Sequence, residues 1–255
     1  KKVQLSAFKN VRSQGIKAIA LKEGDYLVGA AQTSGSDDIM LFSNLGKAIR
    51  FNEYWEKSGN DEAEDADIET EISDDLEDET ADNENTLPSG KHGVRPSGRG
   101  SGGLRGMRLP ADGKIVSLIT FAPEAAQSDL QVLTATANGY GKRTPIADYS
   151  RKNKGGQGNI AINTGERNGD LVAATLVGET DDLMLITSGG VLIRTKVEQI
   201  RETGRAAAGV RLINLDEGEQ LVSLERVAEE PEDASASDEE NTTESNVTTE
   251  DNTPQ

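Results

Sequence analysis

Cysteine is absent from the 255-residue chain, which removes disulfides, thiolate nucleophiles and cysteine-ligated metals from consideration and fits a reducing compartment. The single histidine, His92, stands beside a glycine-rich loop, where a solvated imidazole is the ordinary reading. Histidine-based metal sites and Ser-His-Asp triads are thereby left almost no room. No apolar run approaches the roughly 20 residues of a membrane span, and the opening residues lack the pattern of a secretion signal. Aromatic residues make up only 4% of the chain, too few to supply a stacking platform for single-stranded nucleic acid. A Walker-type G-x-x-x-x-G-K-[ST] pattern is missing too. The run Gly98-Arg-Gly-Ser-Gly-Gly-Leu-Arg-Gly106 precedes a strand pattern, whereas a P-loop leads from a strand into a helix. These absences name no catalytic residue, no metal site and no cofactor.

Acidic residues are plentiful but confined. The chain has 45 Asp plus Glu against 27 Lys plus Arg, a net charge of -18. Residues 58–90 hold 14 acidic and no basic side chains, and residues 228–255 hold 10 acidic and no basic ones. Both stretches are poor in aromatics and large aliphatics, so burial cannot offset the entropy of ordering them, and both are predicted to be disordered. What remains carries 21 acidic residues against all 27 basic ones, a net charge of +6.

That basic body repeats itself. A glycine followed by an apolar/x/apolar pattern recurs at Gly15-Ile-Lys-Ala-Ile-Ala-Leu21, Gly103-Leu-Arg-Gly-Met-Arg-Leu109, Gly156-Gln-Gly-Asn-Ile-Ala-Ile162 and Gly209-Val-Arg-Leu-Ile-Asn-Leu215, the last two intervals both being 53 residues. A turn follows each time (Glu23-Gly-Asp25, Asp112-Gly-Lys114, Asn168-Gly-Asp170, Glu217-Gly-Glu219), then an apolar strand at 26–31, 115–119, 171–176 and 221–224. Three units continue into a hairpin: Ile39-Met-Leu-Phe42 with Lys47-Ala-Ile-Arg-Phe51, Val132-Leu-Thr-Ala135 with Tyr140-Gly-Lys-Arg-Thr144, and Leu183-Met-Leu-Ile186 with Val191-Leu-Ile-Arg-Thr195. An arginine stands four residues after the turn glycine in all three. The first interval is longer, 88 residues, by about the length of the acidic segment. That segment therefore reads as an insertion into a loop, where added length costs little closure entropy.

Units of this size must stack to bury both faces, as propeller blades do. The expected fold is all-β and propeller-like, with about four repeats of four strands at about 7–51, 95–144, 145–195 and 196–227. Residues 1–227 form the domain, 58–90 the acidic insertion and 228–255 an acidic tail. Residues 1–6 read as the end of a truncated preceding blade, Lys1 and Lys2 taking the places of Ile49 and Arg50; a first segment that completes the last blade is the other possibility.

Positive charge recurs with the repeat. Hairpin strands carry Lys47, Arg50, Lys142, Arg143 and Arg194. Basic loops ahead of the recurring glycines carry Lys9 and Arg12; Arg95 and Arg99; Arg151, Lys152 and Lys154; Arg201 and Arg205; and Arg105 follows one of them. Glycines among cations let a backbone approach a phosphate chain while the side chains neutralise it. Duplex DNA is the expected partner, with these fifteen residues as its contacts. The alternatives are that the hairpin arginines merely protect sheet edges from aggregation, and that Tyr54 and Trp55 mark a scaffold for a protein partner.

Leu5-Ser-Ala-Phe8, Glu23-Gly-Asp25 through Phe42, Gly103-Leu-Arg-Gly-Met-Arg-Leu109, Leu133-Thr-Ala-Thr-Ala-Asn-Gly-Tyr-Gly-Lys-Arg-Thr144, Glu166-Arg-Asn-Gly169 and the acidic tail together resemble the C-terminal domain of the bacterial DNA gyrase A protein. The resemblance covers residues 1 to about 227. It implies a β-pinwheel, commonly of six blades, whose blades exchange strands and whose basic outer rim wraps duplex DNA without sequence specificity. It further implies a non-catalytic part of an ATP-hydrolysing topoisomerase that introduces negative supercoils, in the bacterial cytoplasm at the nucleoid. The implied partners are the N-terminal part of the same gyrase A protein, together with the gyrase B protein, in an A2B2 assembly. The paralogous A protein of topoisomerase IV is the alternative. The family's box Q-R-R-G-G-K-G is absent; Lys152-Asn-Lys-Gly-Gly-Gln-Gly158 matches it at Lys154, Gly155, Gly156 and Gly158 only, so a supporting role in DNA contact is expected there. The acidic segments either compete with DNA for the basic rim or only keep the protein soluble.

Overall fold

The computed structural model describes residues 1–56 and 93–227; the expectations for 58–90, 228–255 and His92 lie outside the described residues. The chain forms eleven strands there: β1 (Asp38–Ser43), β2 (Lys47–Asn52), β3 (Ile115–Phe121), β4 (Gln131–Thr136), β5 (Tyr140–Pro145), β6 (Asn159–Ile160), β7 (Leu171–Val177), β8 (Asp182–Thr187), β9 (Leu192–Lys196), β10 (Val210–Arg211) and β11 (Leu221–Val227). They make three antiparallel sheets in the orders β3-β1-β2-β6, β10-β5-β4-β7 and β11-β8-β9.

Each sheet is assembled from more than one repeat. A hairpin (β1–β2, β4–β5 or β8–β9) is the centre. It begins with a glycine turn: Gly46, Gly139 and Gly190 adopt φ of +73°, +78° and +82°. Their N–H groups donate to the carbonyls of Ser43, Thr136 and Thr187 at 3.0, 2.9 and 3.0 Å, the three-residue-type turn that places glycine in the left-handed region. A two-stranded hairpin is marginal alone. The long strand of the following repeat (β3, β7, β11) covers one edge, and in two sheets a two-residue strand from the repeat after that (β6, β10) covers the other.

The sheets stack, which explains why strict alternation is weak in the hairpins. Val132, Leu133 and Ala135 on β4 are all fully buried because both faces of that sheet meet a neighbour. Met40, Phe42, Val132, Ile162 and Leu171 form one core and Leu133, Leu183, Leu185, Ile213 and Leu221 the next. Each large apolar side chain in them contributes about 1.5–3 kcal/mol.

Three expectations are corrected. The sheets hold four, four and three strands, in place of four repeats of four. No strand forms at 15–21 or 26–31, where Tyr26 is 86% exposed. The counterparts β3, β7 and β11 exist by pairing with the hairpin of the preceding repeat, and the described residues ahead of Tyr26 contain no hairpin. The register also moves: Gly158, rather than Gly156, corresponds to Gly209. Each directly precedes a two-residue outer strand, their φ are +72° and +79°, and the interval between these units is 51 residues, the same as from Arg143 to Arg194. A Cβ on either would strike the preceding hairpin, at the carbonyl carbon of Ala48 (2.9 Å) or Gly141 (2.8 Å).

Candidate nucleic-acid interface

A long cation can enter a β core only if acceptors await its head group. The loop that precedes each outer strand supplies carbonyls, and β1 supplies the Asp38 carboxylate. Arg50 is 2% exposed; its Nε donates to Asp38 Oδ2 at 2.8 Å and its Nη1 to the Tyr149 carbonyl at 2.8 Å. Its guanidinium also lies 5.3 Å from the centroid of the Phe121 ring. Arg151 donates through Nε to Asp38 Oδ1 at 2.9 Å, and Asn52 Nδ2 to the same oxygen at 2.8 Å. One sheet further on, Arg143 Nε donates to the Ile200 carbonyl at 2.6 Å, while the fully buried Lys142 reaches the carbonyls of Gly204 and Arg205. Arg50, Lys142, Arg143 and Arg151 are therefore not rim contacts as expected from the sequence. They fasten the first two hairpins to the loops that cross them.

The same backbone bond repeats at this crossing. Ser97 N–H donates to the Lys2 carbonyl (2.9 Å), Lys152 N–H to that of Arg50 (2.8 Å) and Thr203 N–H to that of Arg143 (2.9 Å). Parallel bridges Lys2–Pro96, Arg50–Arg151 and Arg143–Glu202 accompany them. Beneath each crossing a large residue is buried: Val94, Tyr149 or Ile200. Burial raises the pKa of the Tyr149 phenol.

The rest of the expected cations lie on the surface. Lys9, Arg12, Arg95, Arg105, Arg194 and Arg201 are exposed, and Lys47, Arg99, Lys152, Lys154 and Arg205 are half-buried. Arg194 is held by Asp182, with Nε 2.6 Å from Oδ2. Two open grooves lie between crossing loops. One, of about 770 Å³, is walled by Lys47, Asp148, Ile160, Gly204 and Arg205 among others; the second, of about 520 Å³, by Arg12, Lys17 and Arg99 among others. Within Lys152-Asn-Lys-Gly-Gly-Gln-Gly158 the glycines serve packing. Gly155 N–H donates to the Gly106 carbonyl and the Gly156 carbonyl accepts from Arg108 N–H, both at 2.8 Å. Burial lowers the pKa of the Lys154 amine.

A cationic cluster on the outer edge of the second sheet escaped the sequence reading. Arg211 and Tyr140 are cross-strand partners in β10 and β5, and Arg211 Nη2 donates to the Tyr140 hydroxyl at 2.6 Å. The guanidinium carbons of Arg167 and Arg211 lie 4.4 and 5.1 Å from the centroid of that ring. Both arginines are exposed, and neither forms an ion pair with a carboxylate among the described residues. Hydrogen bonds from Arg211 and then Arg167 lower the phenol's pKa. Signals for it were present, since Arg211 occupies the third place of Gly209-Val-Arg211, a Gly-x-Arg that also occurs at Gly103-Leu-Arg105.

Stacked blades that exchange strands, with cationic loops across their outer edges, define a propeller-type β domain. The chain belongs to the DNA gyrase C-terminal domain, beta-propeller family, whose model matches residues 1–34, 37–54, 92–122, 131–177 and 181–228. It is 93% identical over 235 residues to the DNA gyrase A protein of Neisseria gonorrhoeae, a match that covers 92% of this chain and 26% of that protein. Two solved structures share the fold. The DNA gyrase A C-terminal domain superposes with a TM-score of 0.62 at 22% identity, over 85% of this chain and 59% of that one. The C-terminal domain of DNA topoisomerase IV superposes with a TM-score of 0.67 at 19% identity, over 88% and 57%. The chain thus spans about a quarter of the length of the gyrase A protein it matches.

Proposed function

We propose that this chain binds and wraps duplex DNA as part of a gyrase A protein. The observation that carries the reading is the recurrence of exposed or half-buried cations on successive crossing loops, Arg95 and Arg99, Lys152 and Lys154, Arg201 and Arg205, with grooves beside them lined by Arg12, Lys17, Arg99, Lys47 and Arg205. Such an array neutralises a phosphate backbone and reads no bases. Smooth bending of 20–30 base pairs costs about 1–6 kcal/mol, so contacts spread over several blades are needed to hold a curved duplex. In the assembled enzyme the wrap presents a crossed segment for ATP-driven passage, which introduces negative supercoils. The partners are the rest of the gyrase A protein and the gyrase B protein, and the setting is the bacterial cytoplasm. The 93% identity to a gyrase A protein favours this over the topoisomerase IV paralogue.

Binding of a duplex of about 140 base pairs over a salt series, with topology analysis of relaxed circles ligated in the protein's presence, tests the reading. A slope of log K against log[salt] of several units, about 0.9 for each phosphate neutralised, together with a changed linking number, is expected. A shallow slope or absent binding at low salt would refute the backbone-driven contact. Binding without a change in linking number would refute wrapping by this chain.

A further inference from the structure

Two lysines in different blades do the same job. Lys142 Nζ donates to the carbonyls of Gly204, at 2.5 Å, and Arg205. Lys1 Nζ donates to the carbonyls of Gly98 (2.8 Å), Arg99 (2.7 Å) and Ser101 (2.7 Å). The positions are equivalent, because each lysine directly precedes the residue that bridges the crossing loop, Arg143 to Glu202 and Lys2 to Pro96. The loops they reach are equivalent as well. Gly98-Arg-Gly-Ser101 and Gly204-Arg-Ala-Ala207 are each closed by an N–H from the fourth residue to the first carbonyl at 3.2 Å. Each lysine therefore donates to the first two carbonyls of a Gly-Arg turn, and each turn's arginine lines one of the two grooves.

The intervening blade supplies an internal comparison. Ile49 holds the equivalent position there and packs an apolar tip under its loop, 3.6 Å from where a Cβ on Gly156 would lie. Lysine is thus not required for the strand to form. It is present where a Gly-Arg turn has to be held, and Thr144 adds a hydrogen bond from Oγ1 to the Thr203 carbonyl at 2.8 Å.

We infer that Lys142 and Lys1 are positioning residues for duplex binding: each draws the carbonyl oxygens of its turn inward, so that the amide N–H groups and the arginine of the turn are presented to a DNA phosphate. No backbone carbonyl within the described residues accepts from the amide N–H of Arg205 or Ala206, which leaves both available to an anion. Lys142 itself does not touch the phosphate, since it is fully buried. The inference rests on the duplex-binding reading above.

The test compares Lys142→Met, which keeps the apolar stem, with Arg205→Ala in the full chain. The readouts are duplex affinity over a salt series and amide hydrogen exchange of residues 203–207 without DNA. For Lys142→Met the expected results are about three- to tenfold weaker binding at fixed salt, an unchanged salt slope, and exchange at least about tenfold faster in the turn. Arg205→Ala should make the slope shallower by about 0.9 with exchange near wild type. A slope lowered by Lys142→Met as well would mean a direct phosphate contact and would overturn the inference. So would unchanged affinity despite faster exchange, or unchanged exchange. Lys1→Met, at a half-buried position, provides the same comparison on Gly98-Arg-Gly-Ser101 if Lys142→Met fails to fold. Wild-type protein that does not bind duplex would instead sink the duplex reading, whatever the exchange data show.

Discussion

Arg151 reaches Asp38 across 113 residues of sequence, its Nε 2.9 Å from Oδ1, and meets there the guanidinium of Arg50 at 2.6 Å from Oδ2. One carboxylate thus holds two buried arginines, the Arg50 side chain fully shielded from solvent and that of Arg151 nearly so. Removing Asp38 takes a fully buried carboxylate from between two buried cations. Asp38→Ala should cost about 3–5 kcal/mol, read by denaturant or thermal unfolding. The Asp182–Arg194 pair repeats the spacing of twelve residues, but the Arg194 side chain is 65% exposed. Asp182→Ala should therefore cost at most about 1 kcal/mol. Equal losses at the two sites would contradict this division.

The same burial separates structural arginines from phosphate contacts. Arg151→Ala should destabilise the domain while the salt slope of duplex binding by the folded fraction is unchanged. Arg167→Ala and Arg211→Ala should do the reverse, each making the slope shallower by about 0.9 with unfolding midpoints near wild type. If Arg167→Ala and Arg211→Ala leave the slope intact, the exposed pair around Tyr140 is not part of the DNA path.

The hairpins and the all-β class were legible because glycine turns and apolar runs are local features. The strand exchange was partly hidden. β6 and β10 are two residues long, too short to carry a periodicity, and their register was read two residues out because Gly155, Gly156 and Gly158 crowd one loop. The largest misreading concerned Arg50, Lys142, Arg143 and Arg151. A cation in a strand next to glycine-rich loops looks the same in sequence whether its head group meets water or a carbonyl. The Asp38–Arg50 spacing, repeated by Asp182–Arg194, was the available clue that these arginines sit opposite a carboxylate. Arg143 has Gln131 at that offset, which weakened the pattern. Tyr26 was misread for another reason: its counterparts β3, β7 and β11 form by pairing with a hairpin, and the described residues ahead of Tyr26 contain none.

Glycine is required at the loop-to-strand junctions for two separable reasons. Gly158 has φ of +72° and would place a Cβ 2.9 Å from both the Ala48 carbonyl carbon and Met107 Cε, whereas Gly218 has φ of +82° and open space around it. Gly218→Ala should cost only the left-handed backbone penalty, about 1–2 kcal/mol. Gly158→Ala adds a steric clash of about 1–3 kcal/mol and should loosen β6 from β2. Unfolding midpoints of the two variants, with exchange at the β6 amides, check the difference; equal midpoints would mean that the junction yields without loss.

Burial, with a smaller contribution from Arg205, pushes the Lys142 pKa down from 10.5 to about 8, Asp148 acting in the opposite direction. Between those values the unfolded chain holds a proton at this lysine that the folded chain has released, so the Lys142 contribution makes stability rise with pH across the window. Tyr149 acts oppositely but later. Burial raises its pKa above 10.0, so the unfolded chain ionises first and stability falls above about pH 10. The interval from about pH 8 to 10 therefore isolates the lysine from Tyr149. A released proton still leaves the amine two N–H donors for its two carbonyls, so the turn stays closed as the charge is lost. Unfolding free energy of the wild type, measured against Lys142→Met from pH 7 to 10, should gain relative to the variant as pH rises. A constant difference across that range would mean that Lys142 keeps its proton in the folded state.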